Sequence, residues 1–410
     1  MSNIIHPDNK NVNSGVLFKT WLPNAKLWIQ TKLRIRKLKD KSIHSYPSDM
    51  PKLIFMGTPE FAVPILEKLI NNGYKPVAVF CAPDKPVGRK QTLTPPPVKI
   101  TAQKYNIPVY QPKDKIELAS QLKTFAKGES ASGGIGYQLI ITAAYGLIFP
   151  KDILDTPQYG CINIHPSLLP KYRGPSPIQT AILNGDKETG VTIYKMDEQI
   201  DHGAIIAQEK ILLNNVVASE APASPDESAS RGGKQSRDTA AIHGIAASPA
   251  APRNDNLTTP ELSQKLSDLG ADLLLKTLPD WLAGKITPVP QDDSQATFTK
   301  IIAKEDGQID WQKSAQEIER QIRAYTPWPG SYSQIANGQS LIVKILEAEI
   351  SDTGAGKRAG EIFLTANNDT AIQTGNGALI VKKLQLEGGK PLSSSDFLRG
   401  HKDIIGKILT

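Results

Sequence analysis

The chain has 410 residues, 39% of them hydrophobic and 22% charged, which is the balance of a globular protein with room for two cores and excludes a fibre. Its most apolar stretch, residues 139–145, suits a buried strand and falls far short of the roughly 20 residues that a membrane helix needs, so no membrane span is expected. Of the net charge of +7, a surplus of six sits in the first fifty residues (nine Lys or Arg against three Asp), and the rest of the chain carries only +1. A basic field around the whole body is thereby excluded, and any polyanion must be held by local patches.

In chain order, residues 1–49 come first, with a basic stretch at 31–39 and no apolar run behind it. A secretory signal is therefore not expected. The segment reads as a non-essential upstream extension, with an organellar transit peptide and an RNA-binding arm as alternatives. From Lys52 onward short apolar runs alternate with helical stretches: strands at 53–56, 76–81, 139–144 and 161–164, and helices at 59–72 and 98–105. Such alternation builds an open, parallel-rich α/β sheet of Rossmann-like type with helices on both faces. At the first strand-to-helix turn Thr58 is expected as N-cap with Pro59 opening the helix. Gly57 is the only glycine there, which argues against a dinucleotide fingerprint and its three spaced glycines.

A polar insertion at 127–136 precedes the strand at 139–144. The two cysteines, Cys81 and Cys161, lie inside apolar runs, where a core thiol is the expected state, and neither a disulfide framework nor a cysteine-rich metal site is supported. Six scattered histidines form no ligand cluster, and no metal is expected.

The strand at 161–164 runs into Asn163-Ile164-His165-Pro166. Residues two apart on a strand leave the same face, so Asn163 and His165 can meet one substrate. Pro166 stops the ladder, and the loop through Arg173-Gly174-Pro175 lies just beyond the strand's carboxyl end, where open parallel sheets place their ligand crevice. Asp201 sits in the turn 199–203, between strand-like runs at 191–195 and 204–209. An amide donor, an imidazole and a carboxylate suit acyl transfer through an oxyanion without a covalent nucleophile, although each has an ordinary structural explanation when taken singly.

Residues 218–256 are rich in Ala, Ser, Pro and Gly, with almost no large apolar side chain, and are expected to be a disordered insertion. Helix resumes at Thr259, read as a cap before Pro260 and Glu261, and runs to about Trp281. A catalytic domain over 50–284, a linker over 285–297 and a second domain over 298–410 follow. Short strands at 341–349, 360–364, 370–374 and 378–386 make that second domain a small β-barrel of OB-like type.

Asn163-x-His165-x-Ser167-Leu168-Leu169-Pro170, followed by Arg173-Gly174 and later Asp201-x-Gly203, closely resembles the signature of the folate-dependent formyltransferase family. The resemblance implies that Asn163, His165 and Asp201 are catalytic, that Ser167, Leu168, Leu169 and Pro170 lie in the tetrahydrofolate site, and that 10-formyltetrahydrofolate is the formyl donor. Family members divide by acceptor: methionyl-tRNA, glycinamide ribonucleotide, a nucleotide-linked amino sugar, or water. From Lys52 onward the chain is similar to the members that act on initiator methionyl-tRNA, in residues 55–62, 84–89, 144–146, 309–311 and 323–330.

The nucleotide-linked amino sugar is the nearest alternative acceptor, and an RNA-binding protein with a folate- or nucleotide-sensing first domain is the alternative outside enzymology. By the same resemblance Arg89, Lys90 and Lys99 are candidate tRNA contacts, on a loop overhanging the crevice, and the barrel domain binds tRNA. A cytoplasmic monomer completes the expectation.

Overall fold

The computed structural model describes residues 50–88, 90–126, 136–147, 149–213, 256–335, 341–351 and 356–410. The 1–49 extension, all of the 127–136 segment but Gly136, all of the 218–256 insertion but Asn256, and Arg89 lie outside the described residues.

The first half reads β1 (Leu53–Gly57), α1 (Ala62–Asn71), β2 (Ala78–Phe80), a hairpin of β3 (Lys85–Val87) and β4 (Thr92–Thr94), α2 (Pro97–Lys104), β5 (Val109–Tyr110), α3 (Lys115–Ala126) and β6 (Leu139–Ala143). It continues through α4 (Lys151–Leu154), β7 (Cys161–His165), α5 (Pro177–Asn184), β8 (Glu188–Lys195), β9 (Ile205–Leu212) and α6 (Thr259–Leu282). Seven strands form one sheet in the order β5-β2-β1-β6-β7-β8-β9, parallel as far as β7 and antiparallel beyond it. The order reverses at β1, so the crevice expected of such a sheet opens at the carboxyl ends of β1, β6 and β7.

β1 and β6 are buried along their whole length because both faces are covered, which is why they read as apolar runs interrupted only by Thr142 near the end of β6. On one face Leu53, Phe55, Ile141, Ile162 and Ile164 pack with Ile65 and Leu69 of α1 and Leu266 and Leu274 of α6. On the other, Ile54, Met56, Ile140 and Cys161 meet Leu118, Leu122 and Phe125 of α3 and Ile153 of α4. Each such aliphatic side chain contributes about 1.5–3 kcal/mol when fully buried.

Two expected helix starts shift. Thr58 is not an N-cap. The amide of Ala62 bonds Pro59 O at 3.0 Å in a turn, α1 begins at Ala62, and Thr58 Oγ1 instead accepts from the amide of Ala82 at 3.2 Å, tying the ends of β1 and β2 together. Gly57 is needed for space: a Cβ there would lie 2.6 Å from Ala62 Cβ and 2.9 Å from Ala143 O. At α6 the cap is Thr258, whose amide donates to Glu261 at 2.8 Å in a capping box. Thr259 is the first helical residue, and its hydroxyl donates to Ala324 O at 2.6 Å.

The second half holds α7 (Ala315–Ala324), β10 (Ser331–Ile335), β11 (Leu341–Ser351), β12 (Ile362–Leu364), β13 (Thr370–Gln373), β14 (Ala378–Leu386), β15 (Leu392–Ser393) and α8 (Ser394–Gly400). The antiparallel order is β10-β11-β14-β13-β12. The last residues close it: Leu409 bridges Ile335 of β10 while Ile408 bridges Glu361 beside β12. The result is a curled sheet around Val343, Ile345, Ile372, Leu379 and Val381, capped by Ile318 and Ile322 of α7. The far end of α7 reaches the first domain, where Ala324 and Tyr325 join its core and Arg323 donates to Leu257 O at 3.1 Å.

Candidate active site

The face of the sheet that carries Ile140 and Cys161 changes character along its strands. Toward the carboxyl ends the same face presents Thr142 on β6, Asn163 and His165 on β7, and Thr192 and Tyr194 on β8. Register makes them neighbours: Thr142 pairs Asn163, Asn163 pairs Tyr194, and His165 pairs Thr192. Strand alternation therefore gathers a polar patch at the crevice from three separate segments. Cys161 occupies the apolar end of this face, where burial pushes its thiol up to about 12, the state of a core thiol and not of a nucleophile.

Asn163 is anchored at both ends of its amide. Thr142 Oγ1 lies 2.8 Å from Asn163 Oδ1, and Asn163 Nδ2 donates to the Tyr194 hydroxyl at 3.0 Å. That hydroxyl in turn donates to Asp201 Oδ1 at 2.7 Å. Burial, and then the Asp201 charge, raise the Tyr194 phenol well above its ordinary value, so it stays protonated. His165 is 5% exposed; its Nε2 lies 3.0 Å from Tyr172 O and its Nδ1 3.6 Å from Asp201 Oδ1. The three residues named from the sequence are thus brought together, with Asp201 as the hub.

Asp201 reaches this position on the turn after β8. Its φ of +49° is a left-handed conformation that Asp tolerates better than most residues. Three donors hold it. The amide of Gly174 bonds Oδ2 at 2.7 Å, Tyr194 bonds Oδ1, and Gln291 Nε2 donates to the Asp201 carbonyl at 2.9 Å. Hydrogen bonds to a carboxylate are worth about 1.5–3 kcal/mol each.

The segment 166–170 forms one wall. Ser167 is buried with its hydroxyl donating to Lys171 O at 2.6 Å, and the Leu169 amide donates to Thr192 Oγ1 at 3.0 Å. Leu169 is buried, whereas Leu168 and Pro170 are half-buried. Ser167 therefore shapes the loop with its hydroxyl engaged inside it.

An arm that no sequence pattern announced crosses the site. Val289 pairs with Ile205 at the edge of β9, and Thr297 and Thr299 bond the backbone of Arg173 on either side. Between them the Arg173 guanidinium, 4% exposed, donates to Gln291 Oε1 at 2.9 and 3.0 Å and to Asp293 at 2.7 Å. Gly174, with φ +114°, has Thr299 O within 2.8 Å of where a Cβ would stand, so a side chain there would push the arm away. His202 joins the same network, with Nδ1 2.6 Å from Asp197 and Nε2 3.4 Å from Asp293. The Asp197 contact raises the imidazole above its ordinary value.

Of the residues expected to meet tRNA, Lys90 is exposed at the turn of the β3–β4 hairpin, every strand residue of which is exposed. Arg89 lies outside the described residues. Lys99 is engaged otherwise: its Nζ lies 2.8 Å from both oxygens of Asp84 and 2.8 Å from Gln111 Oε1, fastening the base of the loop. Its charge is thereby matched within the protein. Among the described residues no group of three or more His, Cys, Asp and Glu is placed to hold a metal ion.

Sequence reasoning missed Thr142, Tyr194, Gln291 and the arm. Alternation carried a signal for Tyr194, since Thr192 and Tyr194 share a face of β8, but only pairing of β8 with β7 turns that face toward Asn163.

Comparison with known proteins agrees with this architecture. Residues 51–222 match the family model described as "Formyl transferase", and residues 301–402 match "Formyl transferase, C-terminal domain". The methionyl-tRNA formyltransferase of Citrifermentans bemidjiense is 38% identical over 86% of this chain and 94% of its own, and that of Listeria monocytogenes is 41% identical over 83% and 93%. Among solved structures, the sugar 3N-formyl transferase WlaRD matches at TM-score 0.52 and 19% identity, over 82% of this chain and 97% of its own. HypX from Aquifex aeolicus, in complex with tetrahydrofolic acid, matches at TM-score 0.51 and 15% identity over 85% of this chain, which spans 47% of HypX. At those identities the two structures speak for the fold alone.

Proposed function

The chain belongs to the methionyl-tRNA formyltransferase family, and from that premise we propose that Asn163, His165 and Asp201 carry its chemistry at the carboxyl end of β7. The protein transfers the formyl group of 10-formyltetrahydrofolate to the amino group of methionine on initiator tRNA, the step that prepares the initiator for translation. The observation that supports the residue assignment is the convergence of amide, imidazole and carboxylate on one polar patch, with His165 Nδ1 3.6 Å from Asp201.

In the transfer, the methionine nitrogen attacks the formyl carbon, a C–N bond forms and the carbonyl oxygen becomes an oxyanion. Asn163 donates to that oxyanion through its amide nitrogen. Collapse breaks the bond to N10 of the folate, which takes up a proton as the new amide nitrogen loses one. His165 moves that proton. Because Nε2 is held by Tyr172 O, Nδ1 is the nitrogen left to exchange it, on the edge facing Asp201. Asp201 orients the ring and offsets charge developing on it. Ser167, Leu168, Leu169 and Pro170 form the wall against which the folate lies.

We assign catalysis to residues 50–284 and tRNA binding to 298–410, with Lys90 meeting the acceptor stem from the hairpin turn, Arg89 beside it in sequence as a second candidate contact, and Lys99 anchoring that loop through Asp84. A monomer in the cytoplasm fits this reading. Residues 1–49 and the insertion 218–256 are assigned no part in the reaction.

The test is formyl transfer from 10-formyltetrahydrofolate in the presence of charged initiator tRNA, uncharged tRNA or a nucleotide-linked amino sugar. Formylmethionyl-tRNA is the expected product. Equal or better use of the amino sugar would overturn the acceptor assignment.

A further inference from the structure

Among the described residues, Tyr194 is the buried aromatic side chain whose polar tip touches two of the proposed catalytic groups, Asn163 at 3.0 Å and Asp201 at 2.7 Å. We propose that Tyr194 is a positioning residue for formyl transfer, its hydroxyl reading the carboxylate of Asp201 and thereby fixing which end of the Asn163 amide faces the reacting oxygen. The proposal rests on the assignment of Asn163, His165 and Asp201 as the catalytic set.

Donors and acceptors along the chain of contacts leave one solution. A carboxylate only accepts, so the single Tyr194 proton goes to Asp201, and the phenol oxygen is left as an acceptor. Asn163 can satisfy that acceptor only with its NH2 end, which sends its carbonyl oxygen toward Thr142, 2.8 Å away. The amide orientation, which heavy-atom positions alone seldom settle, is thus dictated by the chain Thr142–Asn163–Tyr194–Asp201. Of the two hydrogens on Asn163 Nδ2, one is bound to Tyr194. The other has no hydrogen-bond partner among the described residues, on a half-buried side chain at the mouth of the crevice, and it is the one available to an oxyanion. A flipped amide would present the carbonyl to the oxyanion, with repulsion in place of stabilisation.

The same hydroxyl shares Asp201 Oδ1 with His165 Nδ1. Tyr194 therefore also limits how far the carboxylate can swing toward the imidazole. No atom of Tyr194 takes part in bond making, and its phenol, raised well above its ordinary value by burial, is not a proton source for the reaction.

Tyr194→Phe removes the hydroxyl and leaves the packing. The expected result is a fall in kcat of about 10-fold, from the removal of one orienting hydrogen bond, with KM for both substrates unchanged. In an Asn163→Ala background the same change should cost clearly less than it does alone, because the part of its effect that runs through that amide is already lost and only the part that runs through Asp201 remains. Unchanged kcat in Tyr194→Phe, a loss confined to KM, or fully additive losses in the double variant would each overturn the proposal. Activity surviving in Asn163→Ala alone would instead overturn the catalytic assignment beneath it. If the Phe variant fails to fold, 3-fluorotyrosine placed at position 194 keeps the hydroxyl but changes its donor strength. A shift in kcat at constant KM is then expected, and an unmoved kcat counts against the role.

Discussion

The carboxyl end of β7 and the β3–β4 hairpin, which follows the carboxyl end of the parallel strand β2, are built on opposite principles. At β7, Asn163, His165 and Asp201 each have two or more partners and little exposure, so their positions are set before any substrate arrives. At the hairpin every strand residue is exposed, and order comes from its base, where Lys99 meets Asp84 and Gln111. Chemistry needs preorganised donors, whereas a polyanion is held by charge that tolerates movement. Perturbations of the first region should appear in kcat, and those of the second in KM and its dependence on salt.

The largest effect is expected at the first region. Asn163→Ala, His165→Ala and Asp201→Ala should each lower kcat by at least about 10²-fold while the fold persists, as measured by steady-state kinetics beside circular dichroism. Full activity in any one of them would remove that residue from the mechanism.

Next comes the arm that ties the second half of the chain to the site. Arg173→Met removes the donors to Gln291 and Asp293, and with them the hold of Gln291 on the Asp201 backbone. A loss of about 2 kcal/mol in stability and a lowered kcat should follow. A thermal melt identical to the parent's would show that the backbone pairing of Arg173 with Thr297 and Thr299 suffices by itself.

At the hairpin the change should be smaller and of another kind. Replacing Arg89 and Lys90 together with Ala should raise KM for methionyl-tRNA at low salt and leave folate binding alone. The magnitude of the salt slope should fall by about one unit for each phosphate that the variant no longer neutralises. An effect independent of salt would point away from phosphate binding.

The smallest expected effect concerns His202. Its imidazole is raised above the ordinary value chiefly by Asp197, so its contribution is complete below about pH 6.5, the unfolded value. That contribution disappears as pH rises through the higher folded value. His202→Gln should therefore lower the melting temperature relative to the parent at pH 6 and converge with it well above neutrality; a constant gap across that range would exclude the linkage.

How much of this was legible in the sequence differs between the two regions for a physical reason. Asn163 and His165 announce themselves because strand alternation puts residues two apart on one face, and Asp201 because its turn lies between two strand-like runs. Tyr194 did not, since an aromatic residue inside an apolar run reads as core until its pairing strand is known. The arm is less visible still. Arg173 meets Gln291 and Asp293 more than a hundred positions away, and no local pattern encodes such a contact. The barrel was foreseen from its short strands, but its closure by residues 408–409 was not, because isolated bridges leave no periodic trace. Lys99 carried the right charge for tRNA, and only the structure shows Asp84 beside it.

The division between a preorganised centre and an adaptable electrostatic surface is tested most directly by single-turnover formyl transfer with both substrates saturating, followed across a range of salt. A preorganised centre predicts a rate constant that is insensitive to salt, the same in the parent and in the Arg89→Ala, Lys90→Ala double variant, and lower by at least about 10²-fold in His165→Ala. A hairpin variant that loses the chemical step at saturation, or a His165→Ala enzyme that keeps it, would contradict that division.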